Sequence, residues 1–209
     1  MNALAAADRV EASGEPHYDA DGVPNPAYST RGLRDANRTT RGKPNVNRPS
    51  QAVIAFTGHR PDIFREPDLA RATVERLARE LQPMARRFLV GGQRGVDTWA
   101  AQAAITLGVP FTLILPIGPA RFAADWSAED RSMLDATLAR AEDVQVAGTF
   151  SERNRRLATN ADLLVAVWTG IGGGGTAETL ALAEAAQTPI REVRLAAAPG
   201  ADSARGRGI

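Results

Sequence analysis

Residues 162–185 read DLLVAVWTGIGGGGTAETLALAEA. An apolar run ends at Trp168, glycines fill positions 170 and 172–175, and alanine and leucine then recur at helical spacing from Thr176. Such a stretch is strand, turn and helix, and a strand apolar at nearly every position is one covered on both faces of a sheet. A flexible linker does not belong between two packed elements, so the glycines serve the turn itself. Glycine lets the backbone turn tightly and aim amide N–H groups at an anion, with the positive end of the following helix behind them. Two roles stay open for the segment: a phosphate seat made by Gly172, Gly173, Gly174, Gly175 and Thr176, or a plain tight turn. Thr176 suits a helix cap or a hydroxyl offered to the same anion.

Working outward, the alternation repeats. QAVIAFTG (51–58), RRFLVGG (86–92) and FTLILP (111–116) are short apolar runs, VQVAG (144–148) reads as a short strand, and PIREVRL (189–195) is a last one. Between them, PDLARATVERLARELQP (67–83) carries Val74, Leu77, Ala78 and Leu81 on one face, with Glu75 and Arg79 spaced as a pair one turn apart. GVDTWAAQAAITLGVP (95–110) turns Ala100, Ala103, Ala104 and Leu107 inward and stops at Gly108 before Pro110. SAEDRSMLDATLARA (127–141) opens on Ser127, and SERNRRLATNA (151–161) reads as a short helix. Alternation of this kind predicts an α/β fold: a Rossmann-like, doubly wound, mostly parallel sheet with helices on both faces. Ligands of such sheets bind beyond the carboxyl ends of the strands. Here those ends read TGHRP, GGQRGVDT, LPIGPARF and WTGIGGGGT.

Composition sets the limits. The 209 residues are 44% hydrophobic with a formal charge of +1, so no global field favours nucleic acid or an anionic membrane. No apolar run reaches membrane-spanning length, and the opening residues do not read as a secretory signal, which makes a cytoplasmic protein the expectation. Cysteine is absent, the only lysine is Lys43, and the only histidines are His17 and His59. A lysine-bearing phosphate loop, a lysine Schiff base and a cysteine or multi-histidine metal site are thereby excluded from the folded part. Residues 1–50 lack periodicity, are acidic first and arginine-rich later, and read as a disordered polar arm, either a solvated tail or a basic arm touching nucleic acid or a partner. The domain is expected over 51–195 and a flexible tail over 196–209.

Each edge turn offers candidates. In TGHRP, Gly58, His59 and Arg60 close the first strand and could face an anionic ligand. In GGQRGVDT, Gly91, Gly92 and Gly95 make a second glycine turn, followed by Asp97 and Thr98 in the first helical turn. Asp97 fits a ribose hydroxyl or a helix cap. Arg153 and Asn154 open a helix just before the last glycine turn, and Arg153 gains meaning beside Glu178, since a guanidinium and a carboxylate on one edge can orient substrate together. Gly170, Gly172 and Gly175 satisfy G-x-G-x-x-G, but that fingerprint belongs to an early strand, and here only one strand follows. Both glycine turns are expected to converge on one anionic guest.

These motifs resemble the SLOG superfamily, which groups LOG nucleotide hydrolases, the DNA-processing protein DprA and YpsA-like proteins. The resemblance spans about residues 51–194. TGHRP with GGQRGVDTWAA is most similar to the YpsA-like branch, and SERN…WTGIGGGGTAET is similar to the LOG pattern of E-R-K, apolar strand and P-G-G-x-G-T-x-x-E. It implies a Rossmann-like fold binding a nucleotide or nucleotide-derived molecule, with the LOG branch hydrolysing the N-glycosidic bond of nucleoside 5′-monophosphates. Carried onto this chain, it makes Arg153 a catalytic arginine and Gly172, Gly173, Gly175 and Thr176 a phosphate loop. Ile171 stands in place of proline, Asn154 in place of lysine, and Thr179 in place of the catalytic glutamate, with Glu178 one position early. One position on a helix is about 100° of rotation. A non-catalytic nucleotide sensor of the YpsA-like kind is the alternative, and a DprA-like single-stranded DNA binder ranks below it. No cofactor is required by these residues, none supports Mg2+, and the alanine-rich helices are compatible with a homodimer. Membrane and nucleic acid are not expected partners.

Overall fold

The structure is a computed structural model and describes residues 51–201. The polar arm expected over 1–50, and the tail beyond residue 201, lie outside the described residues.

Six strands form one sheet: β1 (Ala52–Gly58), β2 (Ala85–Val90), β3 (Phe111–Leu115), β4 (Asp143–Val146), β5 (Leu163–Trp168) and β6 (Ile190–Arg194), in the order β4-β3-β2-β1-β5-β6. Every pairing in it is parallel. The helices are α1 (Pro67–Leu81), α2 (Val96–Leu107), the single turn α3 (Pro119–Phe122), α4 (Ala128–Arg140), α5 (Phe150–Thr159) and α6 (Gly174–Ala185). Parallel neighbours require crossovers, and the helices supply them while covering the sheet.

Strand residues alternate between the two faces. Ile54, Phe56, Phe88, Val90, Leu113 and Val167 point to the side of α1, α2 and α4, where Phe56 and Phe88 meet edge to face at 5.0 Å. Val53, Ala55, Ile114, Leu164 and Ala166 point to the side of α5 and α6, against Leu157, Ala158, Leu180 and Ala183. The face expected on α1 is buried as read, at Val74, Leu77, Ala78 and Leu81. Glu75, however, pairs with Arg71 at 2.9 Å rather than with Arg79. Both arginines lie one turn away, and spacing alone does not choose between them.

The edge strands are less apolar than the inner ones because each has a neighbour on one side only: Val144 and Val146 of β4 are exposed. Ser127 caps α4 as expected, accepting from the Asp130 N–H at 3.0 Å. α6 begins at Gly174, two residues before the expected Thr176, with Gly173 at the cap. Past β6 the chain stays hydrogen-bonded for several residues: Ala196 O accepts from Arg65 N, and Ala198 N donates to Ile63 O, both at 2.9 Å.

The strand order fixes where a site can lie. From β1 the chain runs outward through β2, β3 and β4, then crosses back to place β5 on the other flank of β1 and β6 beyond it. Connections diverge between β1 and β5, and in sheets of this kind ligands bind beyond the carboxyl ends of the strands at such a point.

Candidate functional site

The turn after β1 is filled by the protein itself. A Cβ on Gly58 would stand 2.1 Å from Val167 O and 2.5 Å from Val96 Cγ2, so glycine there permits close packing of β1 on β5 and α2. His59 O accepts from Val96 N at 3.3 Å, and the His59 ring lies 5.9 Å from the rings of both Phe64 and Trp168. Arg60 sits 3.7 Å from Asp62 at the surface.

The turn after β2 is filled as well. A Cβ on Gly91 would stand 2.0 Å from Arg153 Nη1, one on Gly92 2.5 Å from Leu115 Cδ2, and one on Gly95 2.4 Å from His59 O. Thr98 is buried, and its hydroxyl donates to Gln93 O at 2.8 Å, which ties the turn to the start of α2. These glycines make room for neighbouring protein atoms. Of the two turns expected to share one guest, this one is packed by its own chain around its glycines.

What occupies it is an ion pair. Arg153 reaches from α5 and donates through Nη1 to Gly91 O and to Asp97 Oδ2, each at 3.2 Å. Asp97 Oδ2 also accepts from Gln93 N at 3.1 Å. Arg153 is 7% exposed and Asp97 4%. Burial pushes the Asp97 carboxyl above its ordinary value of 3.8, while Arg153 and the Gln93 N–H pull the other way. Asp97 therefore neither caps α2, whose cap is Gly95, nor offers an open oxygen at the surface. It anchors Arg153 under the sheet edge.

The turn after β5 is different. A Cβ on Gly172 or Gly174 would meet nothing within 4 Å, and residues 172–175 are exposed. Gly170, Gly173 and Gly174 have φ of 77°, 94° and 75°, a left-handed region that glycine adopts without strain. The cap residue of α6 is Gly173, which has no side chain to accept from the N–H groups of the first turn. Thr176 is buried at the third helical position and does not cap. A point 3.9 Å from Arg153 Nη2 and 3.4 Å from Asn154 Nδ2 marks where a Cβ of Gly175 would be. The guanidinium thus faces Gly91 and Asp97 with one nitrogen and the first turn of α6 with another.

Glu178 lies one turn further along α6, half-buried. Its Oε2 accepts from Asn154 Nδ2 at 2.8 Å, and its Oε1 accepts from the Ser151 hydroxyl. Thr179, fully buried, donates to Gly175 O at 2.7 Å. The carboxylate one position early is therefore drawn toward α5 by two donors, while Arg153, on the same helix, pairs with Asp97. Ser151 is a site residue that spacing did not reveal, because its contact with Glu178 spans 27 positions. Arg194 is another: the end of β6 pairs with the end of β5, and that adjacency exists only in the folded sheet. Among the described residues, no group of three or more His, Asp or Glu side chains could hold a metal ion, and no helix is long and apolar enough to cross a membrane.

The fold itself has solved counterparts. DNA processing protein A from Helicobacter pylori, described for its single-stranded DNA binding mode, superposes with a TM-score of 0.52 at 19% identity over 74% of this chain and 71% of that one. The chain has the fold of DNA processing protein A. The Streptococcus pneumoniae protein of that name gives 0.52 at 16% identity over 68% of this chain and 50% of its own. The Moco carrier protein from Chlamydomonas reinhardtii gives 0.50 at 23% identity over 73% and 81%. This is the Rossmann-like architecture that the SLOG resemblance implies. The expectation that nucleic acid is not a partner gains no support from these neighbours. No family model matches the chain, and no curated protein matches it in sequence.

Proposed function

We propose that the turn between β5 and α6 seats the phosphate end of a nucleotide or nucleotide-derived ligand. The observation that carries this reading is room for a guest: a Cβ on Gly172 or Gly174 would meet nothing within 4 Å, at the start of a helix whose cap residue, Gly173, has no side chain. Uncapped amides at a helix start attract anions, and the aligned peptide dipoles add to that pull. Arg153, buried beside Gly175, contributes a guanidinium from below.

In the catalytic form of this reading, the chain hydrolyses the N-glycosidic bond of a nucleoside 5′-monophosphate. Glu178 activates water or stabilises the oxocarbenium-like centre, by analogy with glycoside hydrolysis, and Arg153 holds the phosphate end. Binding without turnover is the second reading, favoured by one specific observation: both Glu178 oxygens already accept bonds from α5, and Arg153 pairs with Asp97 instead of Glu178.

Calorimetry and chromatography on one panel test both. The panel holds nucleoside mono-, di- and triphosphates and a single-stranded oligonucleotide, the last because the Helicobacter pylori neighbour is known for such binding. Released base that disappears in Glu178→Gln supports hydrolysis, whereas a nucleotide bound and recovered intact supports sensing. No heat with any nucleotide defeats the proposal, and binding of the oligonucleotide alone, falling steeply with salt, transfers the function to nucleic acid.

A further inference from the structure

The open turn carries a guanidinium at each end. At its far end, Arg153 Nη2 lies 3.9 Å from the position of a Gly175 Cβ. At its near end, Arg194 folds back from the last residue of β6. The position of a Gly170 Cβ is 3.2 Å from Arg194 Cδ, 3.5 Å from Nε and 3.8 Å from Cζ. Arg194 is held there by two contacts. Its Nε donates to Glu192 Oε1, which also accepts from Trp168 Nε1 at 2.7 Å, and its Cζ lies 6.0 Å from the centre of the Trp168 ring.

Both arginines keep donors in reserve. Arg153 spends Nη1 on Gly91 and Asp97, while its buried Nε has no hydrogen-bond partner. Arg194 spends only Nε, and its side chain is 66% exposed. Glu192 offsets part of its charge but leaves the outer nitrogens to solvent. A single phosphate needs one such fork. Arg153 Nη2 at one end and the two outer Arg194 nitrogens at the other give the turn two separate cationic contacts, which fit a ligand with two anionic groups.

We propose that the β5–α6 turn takes a ligand bearing two linked phosphoryl groups, one over the start of α6 above Arg153 and the second against Arg194. This rests on the phosphate-seat reading above and narrows it, replacing a monophosphate end by a diphosphate one. Arg194 is then the residue that sets the number of phosphates.

The test titrates the full chain with orthophosphate, pyrophosphate and tripolyphosphate at constant ionic strength, in wild type, R194Q and R191Q. Arg191 lies on the same strand, bonded to Glu80 and away from the turn, and controls for net charge. Pyrophosphate is expected to bind about tenfold more tightly than orthophosphate, the effect of one added charge-assisted bidentate contact. In R194Q that preference should fall to about twofold or less while orthophosphate affinity stays the same, and R191Q should match wild type. Equal affinity for all three anions in wild type, or an unchanged preference in R194Q, overturns the inference but leaves the phosphate seat standing. A loss in R191Q equal to that in R194Q also overturns it, since bulk charge then explains the effect. Failure of wild type to bind any of the three removes the seat and the inference with it.

Discussion

Two glycine-rich turns leave the same edge of the same sheet, and they use glycine for opposite ends. After β2, Gly91, Gly92 and Gly95 are glycines because Arg153, Leu115 and the His59 carbonyl already occupy the space a side chain would take. After β5, a Cβ on Gly172 or Gly174 would meet nothing within 4 Å. One turn is packed from inside, the other exposed to solvent. The difference teaches that a glycine pattern reports only a missing side chain; what fills the gap decides whether the turn is structure or site.

The largest effect is expected at Asp97. Asp97→Ala leaves the Arg153 guanidinium buried without its counter-ion, and the expected loss is about 3–5 kcal/mol in urea unfolding. A loss below about 1 kcal/mol would mean that the pair is solvated and the β2 turn is not packed. Gly95→Ala comes next. It adds a Cβ 2.4 Å from a backbone oxygen at φ +89°, and should cost about 1–3 kcal/mol by the same measurement.

A smaller effect is read from pH. Burial sets the Asp97 pKa above its ordinary 3.8, so the folded state binds this proton more tightly than the unfolded chain does. The associated stability is complete below 3.8 and is lost as pH rises through the folded value. Wild type minus D97N, followed by urea midpoints from pH 3 upward, should decline over that window and then level off; a difference that rises with pH would reverse the assignment. Smallest in stability is Gly172→Ala, expected within about 0.5 kcal/mol of wild type because the new methyl meets nothing. The same change should weaken orthophosphate binding, since it places carbon in the proposed seat. Intact binding in that variant would move the seat elsewhere.

Much of this molecule is readable from local pattern. The four inner strands, the buried face of α1, the Ser127 cap and the helix after the last glycine turn follow from period and end signals that span fewer than twenty residues. The site is less readable because its contacts are long-range. Arg153 meets Asp97 across 56 positions, and Ser151 meets Glu178 across 27. No periodicity links such pairs, so a motif reading offers Asp97 a ribose hydroxyl or a helix cap, and the fold pairs it with an arginine. Arg194 was invisible for the same reason: only the placement of β6 beside β5 brings it to the glycines.

Because one guanidinium is gripped by the closed turn and also addresses the open one, the two loops form a single mechanical unit. Transplanting residues 170–176 into another Rossmann-like host would carry over the amides and leave the charge behind. A graft that keeps the guanidinium has to bring Gly91, Asp97 and Arg153 with it.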